Sequence, residues 1–339
     1  MDLHVAIIAD VAQVFRELDH EVVVESLSAH AWTMGHETAK VPGLLAPNPV
    51  NRLLGRKSFL DIDQDMCDKF YQKNKERLSQ FDGFIVSYPP AFALLFERFN
   101  KPVITISCTR FDFPCTESSR LEWLVNGLTR MQNGGNLVAV ANNLLDAEVC
   151  NTYFDFEWKH IPSLCNYMGR KYEPLLPDLL VWSRDAEELE GEVKSLEGVN
   201  KEFSMSQKYD REVIRTHGGT VHLPYQVSIM SAFEHYAQAI PMFVPAPGYL
   251  RDLAETRGLL HEVLFPKSTL ALPENYVELA DFFDESNFRH VIQFDSLEDL
   301  QEKIESTNLD EVSQNMRRHH FTRTEQVHGL WSKTIREFH

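Results

Sequence analysis

A hydroxyl, a carboxylate and a histidine stand close together in residues 220–245, which read TVHLPYQVSIMSAFEHYAQAIPMFVP. The order predicts a strand, a tight turn, a helix and a second strand. Ser231 and Glu234 then lie at the mouth of the helix, at the C-terminal edge of a parallel sheet. The first N–H groups of a helix lack intrahelical partners and carry positive partial charge, so that edge suits an anion. A carboxylate held beside it can accept hydrogen bonds from ribose hydroxyls. The same Ser-x-x-Glu step is also a capping box, in which each side chain satisfies a backbone N–H of the first turn. Spacing alone leaves both readings open. Ile229, Met230, Phe233, Ala237 and Ile240 make one apolar helical face, which turns Ser231, Glu234 and Gln238 elsewhere. Pro241 stops the helix, and residues 242–244 read as a short buried strand.

This stretch resembles the donor half of glycosyltransferases with the GT-B fold. Those enzymes often carry a glutamate on a helix that ends in a small residue, another residue and proline, and Glu234-x6-Pro241 keeps that spacing. The resemblance implies that Glu234 holds the ribose of a nucleotide sugar, and that the turn with Ser228, Met230 and Ser231 holds its phosphates. It brings His222, Leu223 and Pro224 near the base or the sugar, with Tyr225 and Gln226 in the same binding loop. Ala239 stands where the family usually has a helix-ending glycine, which is tolerable if the cap is not left-handed. Gln226 takes the place of the first glutamate in the Glu-x7-Glu pair of retaining members, so the implied outcome is inversion.

The elements around this stretch must position it. Leu3, Ile7, Val11, Val14 and Leu18 recur at helical spacing with Asp2 as the cap, so the chain opens on a helix. Residues 20–24 read as the next strand. GT-B domains normally have a strand before that first helix. Either it lies outside this sequence or the sheet here has one strand fewer. Residues 26–56 read as irregular. Helices are expected over 61–78, 90–99, 121–131 and 144–154, and strands over 84–86, 103–106 and 137–140. Strands alternating with helices at this pitch mean a parallel, doubly wound sheet. Residues 161–177 carry prolines without a clear period and mark the domain link. A second alternation follows: a strand over 179–182, an acidic helix over 186–196, the motif above, a strand over 291–294 and helices over 297–304 and 311–338. The expected fold is α/β, with two Rossmann-like doubly wound parallel-sheet domains facing a cleft in the GT-B manner. Residues 1–165 would form the acceptor side, 166–310 the nucleotide-sugar-binding domain, and 311–339 a helix packing back toward the first domain.

Other residues offer chemistry at strand ends. Arg184 follows the first strand of the second domain, where a doubly wound sheet binds ligands; it suits a phosphate or pairs with Asp185. Arg110 and Asp112 follow the strand over 103–106 and face the acceptor side. An inverting transfer needs a base to take the acceptor's proton. Asp112, His4 and His30 are the candidates, each equally readable as a structural residue. Asn143 is a good N-cap for the helix after it, beside Asn142. Arg317-Arg318-His319-His320 could reach phosphates from the last helix, but reads first as a solvated basic turn. Asp61-Ile62-Asp63 has the D-x-D form of a metal site, but at a helix start its acids suit the macrodipole and read as structural. Neither a P-loop nor a G-x-S-x-G, G-x-G-x-x-G or H-E-x-x-H motif is present.

Bulk properties narrow the function classes. A length of 339 residues accommodates two domains, and 43% hydrophobic content supports real cores. The net charge of −17 argues against nucleic-acid and anionic-membrane partners, although a helix terminus and an arginine can still make a local anion site. Cys67, Cys108, Cys115, Cys150 and Cys165 show no zinc spacing and read as reduced thiols of a cytoplasmic protein. The N-terminus lacks a basic region before its apolar residues, so it makes a poor signal peptide, and no run approaches a membrane span. The resemblance therefore implies a metal-independent, inverting glycosyltransferase, hexosyltransferase-like, with a UDP or GDP sugar donor and a glycan or other hydroxyl acceptor. A nucleotide-sugar 2-epimerase of the same plan would change the nucleotide sugar without an acceptor. A noncatalytic nucleotide- or glycan-binding module would bind without turnover.

Overall fold

Short apolar runs separated by amphipathic segments fold here as strands and helices in alternation. In the computed structural model the described residues are 4–28, 30–35, 37–39, 62–112, 117–184, 186–205, 211–260 and 270–338. The chain divides into two units. Unit 1 comprises Met1–Ser163, Lys267–Pro273 and His328–His339; unit 2 comprises Leu164–Pro266 and Glu274–Val327.

Among the described residues of unit 1, α1 (Val5–Glu17) and α2 (Gln64–Leu78) precede β1 (Phe84–Val86), a 3-10 helix (Pro90–Phe99), β2 (Val103–Ser107), α3 (Ser118–Asn133), β3 (Leu137–Ala141), α4 (Leu144–Tyr153) and β4 (Trp158–His160). The strands lie in the order β1-β2-β3-β4, all parallel, so their C-terminal ends share one edge. β2 and β3, VITIS and LVAVA, are buried along their whole length, as a sheet covered on both faces requires. Phe84, Phe96 and Phe99 pack together at ring distances of 4.5–6.1 Å.

Three local expectations change. Residues 20–24 join no sheet: Val23 is 59% exposed, and Val22 and Val24 are only half-buried. Strand propensity reflects a pleated surface packed on neighbours, and these valines pair with no neighbouring strand. β4 went unread because Trp158-Lys159-His160 carries only one apolar residue. His4 is the N-cap residue of α1 and precedes its first turn, while Asp2 lies outside the described residues. Asp63 fits the structural reading: its carboxylate accepts the Met66 N–H at 2.8 Å as the N-cap of α2. Asp61 lies outside the described residues.

In unit 2, β5 (Leu179–Ser183), α5 (Glu187–Lys194), α6 (Arg211–Arg215), β6 (Gly219–Leu223), α7 (Met230–Gln238), β7 (Met242–Pro245), α8 (Pro247–Arg257), β8 (Ile292–Phe294) and α9 (Leu297–Ser306) lead into α10 (Leu309–Arg336). The sheet order is β5-β6-β7-β8, again all parallel. Two such sheets with intervening helices give the expected α/β class. Gly218 lets the chain enter β6, because a Cβ there would run into the Pro177 carbonyl oxygen. α10 contributes to both units. Within unit 1, Trp331 packs edge-on to Phe15 at 5.4 Å, and His328 bonds Glu17 at 2.9 Å.

Ala239 closes α7 in the left-handed region, with φ 62° and ψ 37°, against the expectation of another cap. That conformation costs a non-glycine residue about 1–2 kcal/mol. A local cap bond and a tertiary one hold it: the Ile240 N–H reaches His235 O at 3.0 Å, and Ser313 Oγ donates to Ala239 O at 2.7 Å.

Cys67, Cys108, Cys150 and Cys165 are buried and not joined in disulfides, and burial pushes the Cys67 thiol up to about 12. Cys115 lies outside the described residues. Among the described residues no helix is long and apolar enough to cross a membrane.

Candidate functional site

The loop between β6 and α7 owes its shape to alternating side chains. Val227 and Ile229 are buried, whereas Tyr225, Gln226, Ser228, Met230 and Ser231 stay partly exposed. Backbone bonds pin the loop at two points: Leu260 N–H to Pro224 O at 3.2 Å, and Asp281 N–H to Val227 O at 2.9 Å. Apolar anchors thus hold a polar rim along the C-terminal edge of the sheet.

α7 begins at Met230, with Ile229 as its N-cap residue and no side-chain cap. Ser231 and Glu234 therefore sit two residues too deep for the Ser-x-x-Glu box, which needs the serine at the cap itself. Both side chains have other partners. Ser231 Oγ accepts the Trp182 Nε1–H at 2.9 Å, which satisfies a buried indole at the end of β5. Glu234, only 6% exposed, accepts the Tyr167 hydroxyl on Oε1 at 2.7 Å. Arg184 is exposed, and its guanidinium lies 4.6 Å from the centre of the Tyr225 ring, a cation–π contact that ties the end of β5 to the loop. Asp185 lies outside the described residues.

His222 and Leu223, at the end of β6, are core residues. The His222 ring is fully buried and bonds through Nε2 to His235 Nδ1 at 2.9 Å. Burial pushes His222 down to about 3 and His235 well below the usual histidine range, so both rings are neutral. Of the donor-side residues read from sequence, Arg184, Tyr225, Gln226, Ser228, Met230 and Ser231 share an accessible rim. Glu234 lies beneath it, and His222 and Leu223 support it.

The corresponding edge of unit 1 is a buried polar cluster. Arg110 and Asp112 form a two-point ion pair, Nε to Oδ1 at 3.0 Å and Nη2 to Oδ2 at 3.1 Å, and Arg110 Nη2 also donates to Leu270 O at 2.7 Å. Asn143 caps α4 as expected, its Oδ1 accepting the Asp146 N–H at 2.8 Å. Asp146 Oδ2 accepts from Asn143 Nδ2 at 3.0 Å and from Ser107 Oγ at 3.2 Å. Burial raises Asp146 to about 6; its bonds to Asn143 and Ser107 and the nearby Arg110 oppose the rise, while Asp112 adds to it. His4 and His30 are both exposed, His30 in a turn closed by Thr33 N–H to His30 O at 2.9 Å.

Sequence reading missed Tyr167, Trp182, Ser107 and Asp146. Asp146 was within reach, because Asn143-x-x-Asp146 is a capping step that turns an acid toward the sheet. Tyr167 carried no local signal, since it lies in the proline-rich stretch read as a domain link.

No protein-family model matches the sequence, and no curated protein matches it significantly. Among solved structures the chain is similar to CalG4, the calicheamicin glycosyltransferase, with 9% identity over 99% of this chain and 95% of that one, at a TM-score of 0.46. It is also similar to the glycosyltransferase SnogD from Streptomyces nogalater, with 12% identity over 98% and 97% of the two chains and a TM-score of 0.47. The glycotransferase of kitacinnamycin gives 13% identity, 96% and 94% coverage and a TM-score of 0.48.

Proposed function

We propose that this chain is a glycosyltransferase that takes a sugar from a nucleoside-diphosphate donor, and that the donor lies on unit 2 at the head of α7. The observation that carries this reading is the state of Ser231 and Glu234. Neither serves as a cap, the N-cap residue Ile229 makes no side-chain cap bond, and the polar rim around the first turn of the helix is accessible. A helix start favours a diphosphate through its N–H groups and dipole. Glu234 accepts from the ribose, Ser228 and Ser231 border the phosphates, and Arg184 meets the charge that develops on the leaving group. Electrostatic help of this kind takes the place of a metal ion, so turnover is expected to survive a chelator. With Gln226 in the loop and no second glutamate there, the transfer inverts the sugar carbon.

The acceptor proton goes to unit 1. Asp112 has both oxygens engaged by Arg110, so that pair supports the acceptor side, and His4 or His30 is the base. Changing the acting histidine to Gln should lower kcat by about 10²–10⁴-fold with nucleotide affinity unchanged, and changing the other should do little. Equal, small effects at both positions would remove histidine from the mechanism.

Binding is tested by melting curves with UDP, GDP, ADP, CDP and TDP. A selective nucleotide at a hundred times its Kd stabilises the fold by about 2.7 kcal/mol. Glu234→Ala should abolish that shift while the unliganded protein still melts cooperatively. A panel without any shift, or an Ala variant that responds like the parent, defeats the reading.

A further inference from the structure

Glu234 does not reach its position alone. Its Oε1 takes the Tyr167 hydroxyl at 2.7 Å, and Tyr167 comes from a short 3-10 turn, Asn166–Met168, near the start of unit 2. Cys165 enters that turn fully buried and in the left-handed region, with φ 58°, and Gly169 leaves it at φ 66°. Side chains rarely adopt that backbone conformation, so surrounding contacts must hold it. They do. His320 Nε2 bonds Asn166 Oδ1 at 2.9 Å, and Arg323 Nη1 stands 3.5 Å from His320 Nδ1. Burial takes His320 down to about 2, so the ring is neutral and donates one N–H while accepting on its other nitrogen. Arg323 is itself fixed, with Nε donating to Asn287 Oδ1 at 2.8 Å and its guanidinium 5.6 Å from the Phe233 ring centre. Arg323, His320, Asn166, Tyr167 and Glu234 form one continuous line of contacts from α10 to α7.

A buried carboxylate that must receive two adjacent hydroxyls needs a fixed rotamer, because tilting the carboxylate loses one of the two bonds. A hydroxyl bonded to one oxygen supplies that constraint without adding charge. We propose that Tyr167 is a positioning residue for sugar recognition: it orients Glu234 so that its carboxylate accepts both hydroxyls of a nucleotide ribose, and the Asn166–His320–Arg323 contacts hold Tyr167 in place. This rests on the donor-binding reading above.

The test measures selectivity for ribose, which a purely structural residue would not govern. The full chain is titrated calorimetrically with UDP and GDP and with their 2′,3′-dideoxy counterparts. The parent should bind the better ribonucleotide at least about tenfold more tightly than its dideoxy form, as expected when a carboxylate accepts its hydroxyls. Tyr167→Phe keeps the ring and removes the hydroxyl. It should weaken ribonucleotide binding about five- to tenfold, leave dideoxynucleotide binding unchanged and so collapse the ratio. His320→Gln, which loosens the turn without touching Tyr167, should lower the ratio by a smaller factor. An unchanged ratio in Tyr167→Phe, or an equal loss for both nucleotide forms, overturns the proposal. Glu234→Gln separates the two layers. If it abolishes the ratio while Tyr167→Phe preserves it, donor binding stands and the positioning role falls. If no nucleotide binds, or Glu234→Gln leaves the ratio intact, both fall.

Discussion

Asp112→Ala is expected to destabilise the protein by about 3–5 kcal/mol, the cost of stranding one member of a buried ion pair. Arg110 is only 4% exposed and Asp112 fully buried, so water cannot take the place of the missing carboxylate. Two parallel N–H···O bonds would be lost together. The urea midpoint should fall accordingly with the slope unchanged, since the surface exposed on unfolding is the same. An apolar double variant, Arg110→Met with Asp112→Leu, removes both charges and should recover part of the loss. It should remain about 1–3 kcal/mol short, because Leu270 O then loses the donor that Arg110 provided. If Asp112→Ala unfolds at the parent midpoint, the pair contributes nothing and Asp112 returns as a candidate base.

The second large effect depends on pH. Asp146 is buried, and its carboxyl titrates near 6 instead of in the ordinary carboxylate range. Below about pH 4 the group is protonated in both folded and unfolded chains. Between about pH 4 and 6 the unfolded chain releases the proton while the folded one keeps it, so stability falls as pH rises. A displacement of about two units corresponds to about 3 kcal/mol lost from this group by pH 7. Asp146→Asn keeps a carbonyl oxygen for Ser107 and Asn143 and carries no charge. The variant should match the parent at pH 4 and exceed it by about 2–3 kcal/mol at pH 7, read from urea unfolding at both values. Parallel pH profiles for the two proteins would show that Asp146 ionises in the folded state as easily as in the unfolded one.

Local signals served the reading of elements well. The runs at 103–106, 137–140 and 179–182 are mostly apolar and became buried strands; Asn143 and Asp63 became caps. They failed where burial was not local. Val22, Val23 and Val24 have the composition of a strand but pair with no neighbouring strand. Ala239 accepts a glycine-like backbone because Ser313, 74 residues away, bonds its carbonyl.

The sequence by itself determined the alternation of strands and helices, the helix stop at Pro241 and the placing of Ser231 and Glu234 on the first turns of α7. Periodicity and the limits on proline act within a few residues of chain, and they can be read without knowing what lies opposite. Only the tertiary structure decided what those two side chains do. The helix cap falls two residues before Ser231, which puts both side chains past the capping positions, and Trp182 and Tyr167, 49 and 67 residues away, engage the hydroxyl and the carboxylate. A buried indole N–H and a phenol hydroxyl each need an acceptor, and folding brings these acceptors within reach.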